Sequence, residues 1–234
     1  MFNLSSFLSL TCPDLAFISE PNLFSSDLEQ MKLHFTSSFN FYLNSEDKFD
    51  PEAPFVKNKT YGGTMALWSL TLDPYISVYP PSNTSFPPIV YSPPGSPISV
   101  HIGVYLPTSG QESQFVDNLL ELQVVIEELN DKYDKPIIFI RGDSNVNANN
   151  KRRSKIFAHF CSSFDLVRVP IGHNTYHHFV GDGLFDSDID VILHSASSEY
   201  SETVVKVYCK NDFPEVDSSH DLILSTLYIA SPYK

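Results

Sequence analysis

Four residues far apart in the chain could do chemistry together: Glu20, Asp143, Asp190 and His220. Glu20 and Asp143 each fall just after an apolar run, whereas Asp190 and His220 each fall just before one, "DVIL" and "DLIL". In a mixed sheet the ends of some strands share a rim with the starts of their antiparallel neighbours, so these residues can converge. Asn145 follows Asp143 by two positions in "IIFIRGDSNVN", and an extended backbone would point both side chains to the same side. Three carboxylates, an amide and an imidazole at one rim suit hydrolysis of a phosphate ester. A carboxylate can act as general base on water, an amide can hold a phosphate oxygen, and an imidazole can share the developing charge. A second acid orients that imidazole. A hard cation such as Mg²⁺ needs only one or two carboxylates, because it keeps several waters. Taken singly, each residue also has a structural reading, since "GDSN" suits a turn or a helix cap.

The elements that would position them follow from apolar periodicity. Residues 2 to 10, "FNLSSFLSL", space their apolar positions like a short amphipathic helix, and "PDLAFISE" reads as a buried strand ending at Glu20. The next forty residues read as polar and irregular. "GGTMALWSL", "YISVYP" and "PIVYSPP" read as strands punctuated by Gly and Pro. "SPISVHIGVYLPT" predicts a long strand with Ile98, Val100, Ile102, Val104 and Leu106 on one face. The clearest helix spans Gln111 to Tyr133, where Phe115, Leu119, Leu122, Ile126 and Leu129 recur at helical spacing, and Pro136 stops it before "IIFI". A second helix is expected around Ser154 to Ser163, followed by strands in "FDLVRV", "TYHHF", "DIDVILHS", "TVVKVYC" and "DLILSTLYI". Strands that mostly follow one another, with few helices between, point to a two-sheet α/β sandwich over residues 1–234 as one domain.

Composition narrows the function. At 234 residues and 42% hydrophobic content the chain can bury a substantial core, and no apolar run approaches the length that crosses a bilayer. Three cysteines, odd in number and widely separated, argue against a disulfide framework and for a reducing, intracellular compartment, nuclear or cytoplasmic. A net charge of −13 argues against a non-specific grip on DNA. It leaves room for a nuclease in which a bound cation supplies positive potential where the phosphate sits. The cluster "KRRSK", Lys151 to Lys155, could add to it, although on its own it reads as a solvated helix face. His173, His177 and His178 in "GHNTYHH" invite a zinc reading, but no helix is evident to bring the first two together, so the segment reads as strand.

In chain order, "PDLAFISEP", "YGGTMALW", "IGVYLPT", "IIFIRGDSNVN", "NTYHHF", "SDIDVIL" and "SSHDLI" resemble the sequence blocks of the endonuclease/exonuclease/phosphatase superfamily. Within it they most resemble the apurinic-type endonuclease domains of non-LTR retrotransposons. The resemblance spans nearly the whole chain and implies a DNase I-like four-layer sandwich, two mixed β-sheets face to face with helices outside. It implies Glu20 as a metal ligand, Tyr105 as a phosphate contact and Asp143 as the base that activates water. Asn145 would orient the phosphate, Asp190 the catalytic histidine His220, and Thr175 would shape the substrate side. The implied cofactor is Mg²⁺, with Mn²⁺ as an alternative, and the implied partner is DNA.

Two departures from the family pattern stand out. The family begins with a strand carrying an Asn near the metal, and no such strand precedes the Glu20 block, so the chain reads as N-terminally truncated. Ser219 in "SSHD" stands where the family has an aspartate before the histidine, and alternation sends Asp221 to the opposite face from His220. The resemblance implies an endonuclease that nicks DNA to leave a 3′-hydroxyl for target-primed reverse transcription. A reverse transcriptase domain would be expected in the parent element but is absent from this sequence. The alternatives are a catalytically impaired relic or domesticated binding module, and a phosphatase of small or lipid phosphates.

Overall fold

The computed structural model describes residues 8–19, 21, 28–35, 37–44, 63–79, 85–180, 183–196, 200–208 and 220–229. Its centre is β7 (Ile137–Asp143), whose continuous apolar run fits a strand covered on both faces. Ile138 and Ile140 face a helical layer, while Ile137 and Phe139 face the other way. β7 runs parallel to β6 (Ser99–Tyr105) and antiparallel to β11 (Asp190–Ser195). With β4 (Ile76–Val78), β5 (Ile89–Tyr91) and β8 (Leu166–Arg168) they form a six-stranded sheet in the order β4-β5-β6-β7-β11-β8. A parallel neighbour needs a crossover, and α2 (Glu112–Tyr133) provides it. Its stripe of Phe115, Leu119, Leu122, Val125, Ile126 and Leu129 packs on Val100, Ile102, Val104, Ile138 and Ile140. The left-handed Asp134 then ends the helix, its N–H reaching Asn130 O.

The second sheet is β1 (Leu15–Ser19), β3 (Thr64–Ser69) and β2 (Phe39–Asn44), antiparallel in the order β1-β3-β2. Alternation along β3 builds two layers at once. Ala66 and Trp68 face Ile89 of the large sheet, and Met65 and Leu67 face Met31 and Phe35 of α1 (Leu28–Phe35). The order helix, sheet, sheet, helix is the four-layer sandwich expected from the sequence. Hairpin β12 (Tyr200–Tyr208) and β13 (Leu222–Ile229) and the pair β9 (Tyr176–Val180) and β10 (Gly183–Ser187) complete the strands.

Three readings of the sequence need correction. The stretch read as irregular holds α1 and β2, anchored by the buried Met31, Phe35 and Phe39. The alternation in "FNFYLN" is a strand signal that its polar flanks obscure. The helix α3 (Lys151–Ser163) starts three residues before Ser154, because the Asn150 side chain caps it by accepting from Arg153 N. Nor is "KRRSK" wholly solvated, since Arg153 is fully buried. Among the described residues no helix is long and apolar enough to cross a membrane.

The sheets meet through missing side chains. A Cβ on Gly103 would lie 2.7 Å from Phe17 Cδ1, so β1 packs directly on β6. Gly142 has φ +134°, and a Cβ there would meet Val104 O at 2.1 Å and Ser19 Oγ at 2.8 Å. Ser19 uses that space: its hydroxyl donates to Val104 O at 3.0 Å and accepts from Asp143 N at 3.4 Å. Gly142→Ala should therefore destabilise the fold by about 3 kcal/mol, read from the urea midpoint. Gly103→Ala should destabilise it less, because the near atom is a ring edge that can turn.

Between the sheets, Arg141 Nη1 lies 2.9 Å from His101 Nδ1, and Ser99 Oγ lies 2.9 Å from Nε2. A guanidinium only donates, so Nδ1 accepts, and the proton sits on Nε2 of a neutral ring. The ring stacks on Phe139 at 4.9 Å. Burial, and then the Arg141 charge, push the His101 pKa well below its ordinary 6.5. A depressed value means that the unfolded chain takes the proton first, so this contribution is complete above 6.5 and is lost as pH falls. Stability should decline below that pH by up to about 1.4 kcal/mol per pH unit. His101→Gln should flatten the decline in a series of denaturation curves.

Candidate active site

β6, β7 and β11 bring three of the residues singled out in the sequence into one row. Tyr105 is the register partner of Asp143 across the parallel pair, and Asp143 is the partner of Asp190 across the antiparallel one. Two strand ends and one strand start thus form a common rim. Both aspartates are buried, at 3% and 8% exposure.

His220 reaches this row from outside the sheet. Its backbone bridges Tyr176 at the start of β9, and its ring lies against the Tyr176 ring at 4.9 Å. Nδ1 is 3.0 Å from Asp190 Oδ2, while Nε2 is 3.8 Å from Asp143 Oδ2. Since Asp190 accepts, Nδ1 carries a proton, and Nε2 is left facing Asp143. Thr175, fully buried, donates its hydroxyl to Asp190 Oδ2 at 2.5 Å. Thr175 therefore orients the orienting carboxylate, one step back from the substrate side expected for it.

Asn145 meets Asp143 by a different route from the extended backbone expected. It adopts a left-handed φ of +50°, which asparagine tolerates better than most residues. The chain turns back, so that Asn145 N and Nδ2 donate to Asp143 Oδ1 and Oδ2 at 2.8 and 2.9 Å. Nδ2 also donates to Leu106 O at 2.8 Å. With both amide protons engaged, Asn145 fixes the carboxylate, and a phosphate oxygen would have to displace one of these bonds.

Sequence reasoning missed Arg153. From α3 its Nε donates to Glu112 at 2.9 and 3.0 Å, Nη1 to Pro107 O at 2.6 Å and Asn145 O at 3.3 Å, and Nη2 to Thr108 O at 2.7 Å. Its guanidinium also covers the Phe115 ring at 4.5 Å. Arg153 thus ties together the loops leaving β6 and β7, beside the Asn145–Leu106 bond. It stands in the first turn of a capped helix among the exposed Lys151, Arg152 and Lys155, where nothing in the sequence marks it as pointing inward.

Glu20 and Ser219 lie outside the described residues, although Ser19 places the end of β1 at this rim. The segment holding His173, His177 and His178 leads into and forms β9, where His177 contacts Asp186 and Asp221. Among the described residues no group of three or more His, Cys, Asp or Glu is spaced to hold a metal ion. The rim nevertheless offers hard carboxylate oxygens, which fit Mg²⁺ in type, and one or two would suffice. A cavity of about 630 Å³, lined by residues such as Asn147, Arg168, Asn174 and Asp188, lies beside this cluster and not at it.

No family model matches the sequence, and no curated protein sequence matches it. Solved structures do match. The chain is similar to the endonuclease domain of TRAS1, a telomere-specific non-LTR retrotransposon, at TM-score 0.65 and 15% identity over 100% of this chain and 93% of that one. It is similar to an endonuclease/exonuclease/phosphatase family protein from Leptotrichia buccalis, at TM-score 0.65 and 11% identity over 97% and 92% of the two chains. A mannosyl-6-phosphatase from Bacteroides thetaiotaomicron matches at TM-score 0.60 and 14% identity over 97% and 89%. At these identities the likeness is one of fold.

The bonds of Arg153 give a test that needs no substrate. Arg153→Met keeps the volume roughly but leaves Pro107 O without its donor inside the protein. It should destabilise the chain by about 2 kcal/mol or more, read as a lowered urea midpoint.

Proposed function

We propose that this chain, which has the DNase I-like fold of the endonuclease/exonuclease/phosphatase superfamily, is a metal-dependent phosphodiesterase that nicks DNA. The reading rests on His220, clamped by Asp190 on one nitrogen and turned toward Asp143 with the other. Asp143, its two oxygens fixed by Asn145, draws the proton from a water whose oxygen attacks phosphorus. His220, protonated on Nε2 as well as on Nδ1, donates to the developing phosphorane, and Tyr105 contacts a phosphate oxygen. The P–O3′ bond breaks and O3′ takes a proton from a second water, leaving a 3′-hydroxyl and a 5′-phosphate. Glu20 would hold Mg²⁺, or Mn²⁺ in its place, and the ion would neutralise charge on the phosphate.

DNA is the substrate that the surroundings favour. Lys151, Arg152 and Lys155 are exposed just beyond the loop that leaves Asp143, a local positive patch on a chain of net charge −13. The TRAS1 likeness supports an endonuclease role, in which the new 3′-hydroxyl would prime a reverse transcriptase encoded by the same element. A phosphatase of small phosphates is the second reading, supported by the overall negative charge and by the likeness to the sugar phosphatase.

Supercoiled plasmid separates these readings. With Mg²⁺ the purified chain should nick it, EDTA should abolish nicking, and Asp143→Ala and His220→Ala should each lower the rate by at least about 100-fold. Hydrolysis of a sugar phosphate without nicking would favour the phosphatase. A folded chain that hydrolyses neither, or that nicks no faster than its variants, would leave a binding module or relic.

A further inference from the structure

Behind His220 stands a second histidine with two acids. His177 on β9 lies directly across from Asp186 on β10. Its Nδ1 is 2.9 Å from Asp186 Oδ1, and its Nε2 is 3.0 Å from Asp221 Oδ2. Asp221 is the next residue after His220, and its side chain is only 2% exposed. Because successive side chains point to opposite sides of an extended chain, His220 faces Asp190 while Asp221 faces His177. The Asp221 N–H donates to Thr175 O at 2.7 Å, and Thr175 in turn holds Asp190.

We propose that His177 is a positioning residue for His220, acting through Asp221 as a charged clamp that fixes the His220–Asp221 segment against β9. The proposal rests on the reading of His220 as the histidine of a phosphodiesterase site. The physical reason is donor supply. Carboxylates accept only, so a ring bonded to one on each side must carry a proton on both nitrogens. A neutral ring could serve one acid and would leave the other unpaired, and for the buried Asp221 that is the costlier loss. Among the described residues the other titratable group facing this pair is the half-exposed His173, in the loop before β9, whose Nε2 is 3.9 Å from Asp221 Oδ2. The hydrogen bond that the ring donates to Asp186, then the one to Asp221, raise the His177 pKa above 6.5. A raised value means that the clamp is complete below 6.5 and is released as pH rises through the folded value.

Two measurements on the full chain test this. Long-range nitrogen–proton NMR should find His177 protonated on both nitrogens at pH 6.5, with an inflection in the His220 ring signals at the His177 midpoint. In Asp186→Asn that midpoint should move to lower pH, and in His177→Gln the inflection should vanish. Plasmid nicking followed against pH should lose rate across the same interval, and His177→Gln should lower kcat by about 10- to 100-fold with KM little changed. A His177 ring with one proton at pH 6.5, or His220 signals blind to His177→Gln, would overturn the proposal. The NMR reading needs no activity, so a chain that never nicks bears on the proposed function and leaves this inference to be decided by the spectra. If His177→Gln does not fold, Asp186→Asn, at the more exposed end of the clamp, carries the same test.

Discussion

A guanidinium without exposed surface organises this rim. Buried charge is tolerated only where its donors are used, and Arg153 uses them on Glu112 and on the carbonyls of Pro107, Thr108 and Asn145. Those carbonyls belong to the segments that follow Tyr105 and Asp143. The two parallel strands therefore end at a fixed separation, and the helices behind them are tied to the same point. The β7–β11 register sets Asp190 beside Asp143, and Thr175 then fixes its carboxylate.

The histidines divide the electrostatics by location. His101, sealed between the sheets under Arg141, holds the interior together as a neutral ring. His177, nearer the surface, lies between the acids Asp186 and Asp221. His220 lies between two rim acids, with Nδ1 on Asp190 and Nε2 toward Asp143. Three rings of the same type thus differ in their surroundings: a guanidinium and a hydroxyl, two acids of the β9–β10 side, or two acids of the rim.

Much of this was legible in the sequence because it follows from alternation and from strand ends. The run "IIFIRGD" reads as a strand buried on both faces, and the placing of acids at the ends of some apolar runs and the starts of others is what an antiparallel rim requires. The route by which Asn145 meets Asp143 was not legible, because a left-handed turn leaves no periodic trace. Arg153 was hidden for a related reason: a cation beside other cations on a helix looks solvated, and its partners are the sequence-distant Glu112 and backbone carbonyls, which have no side-chain signature. The strand β2 was hidden by its polar flanks, although its own alternation was regular. Tertiary contact, and not local propensity, decided each of these.

The glycine contacts between the sheets limit how such a protein can diverge. Where backbone touches backbone, as at Gly142, the spacing of the layers cannot be tuned by exchanging one side chain for a slightly larger one. Small steps in sequence space are closed there, so the gap between the sheets is inherited as a unit. New substrate preferences then have to arise in the loops around the rim, by insertion and replacement, with the chemistry beneath them unchanged.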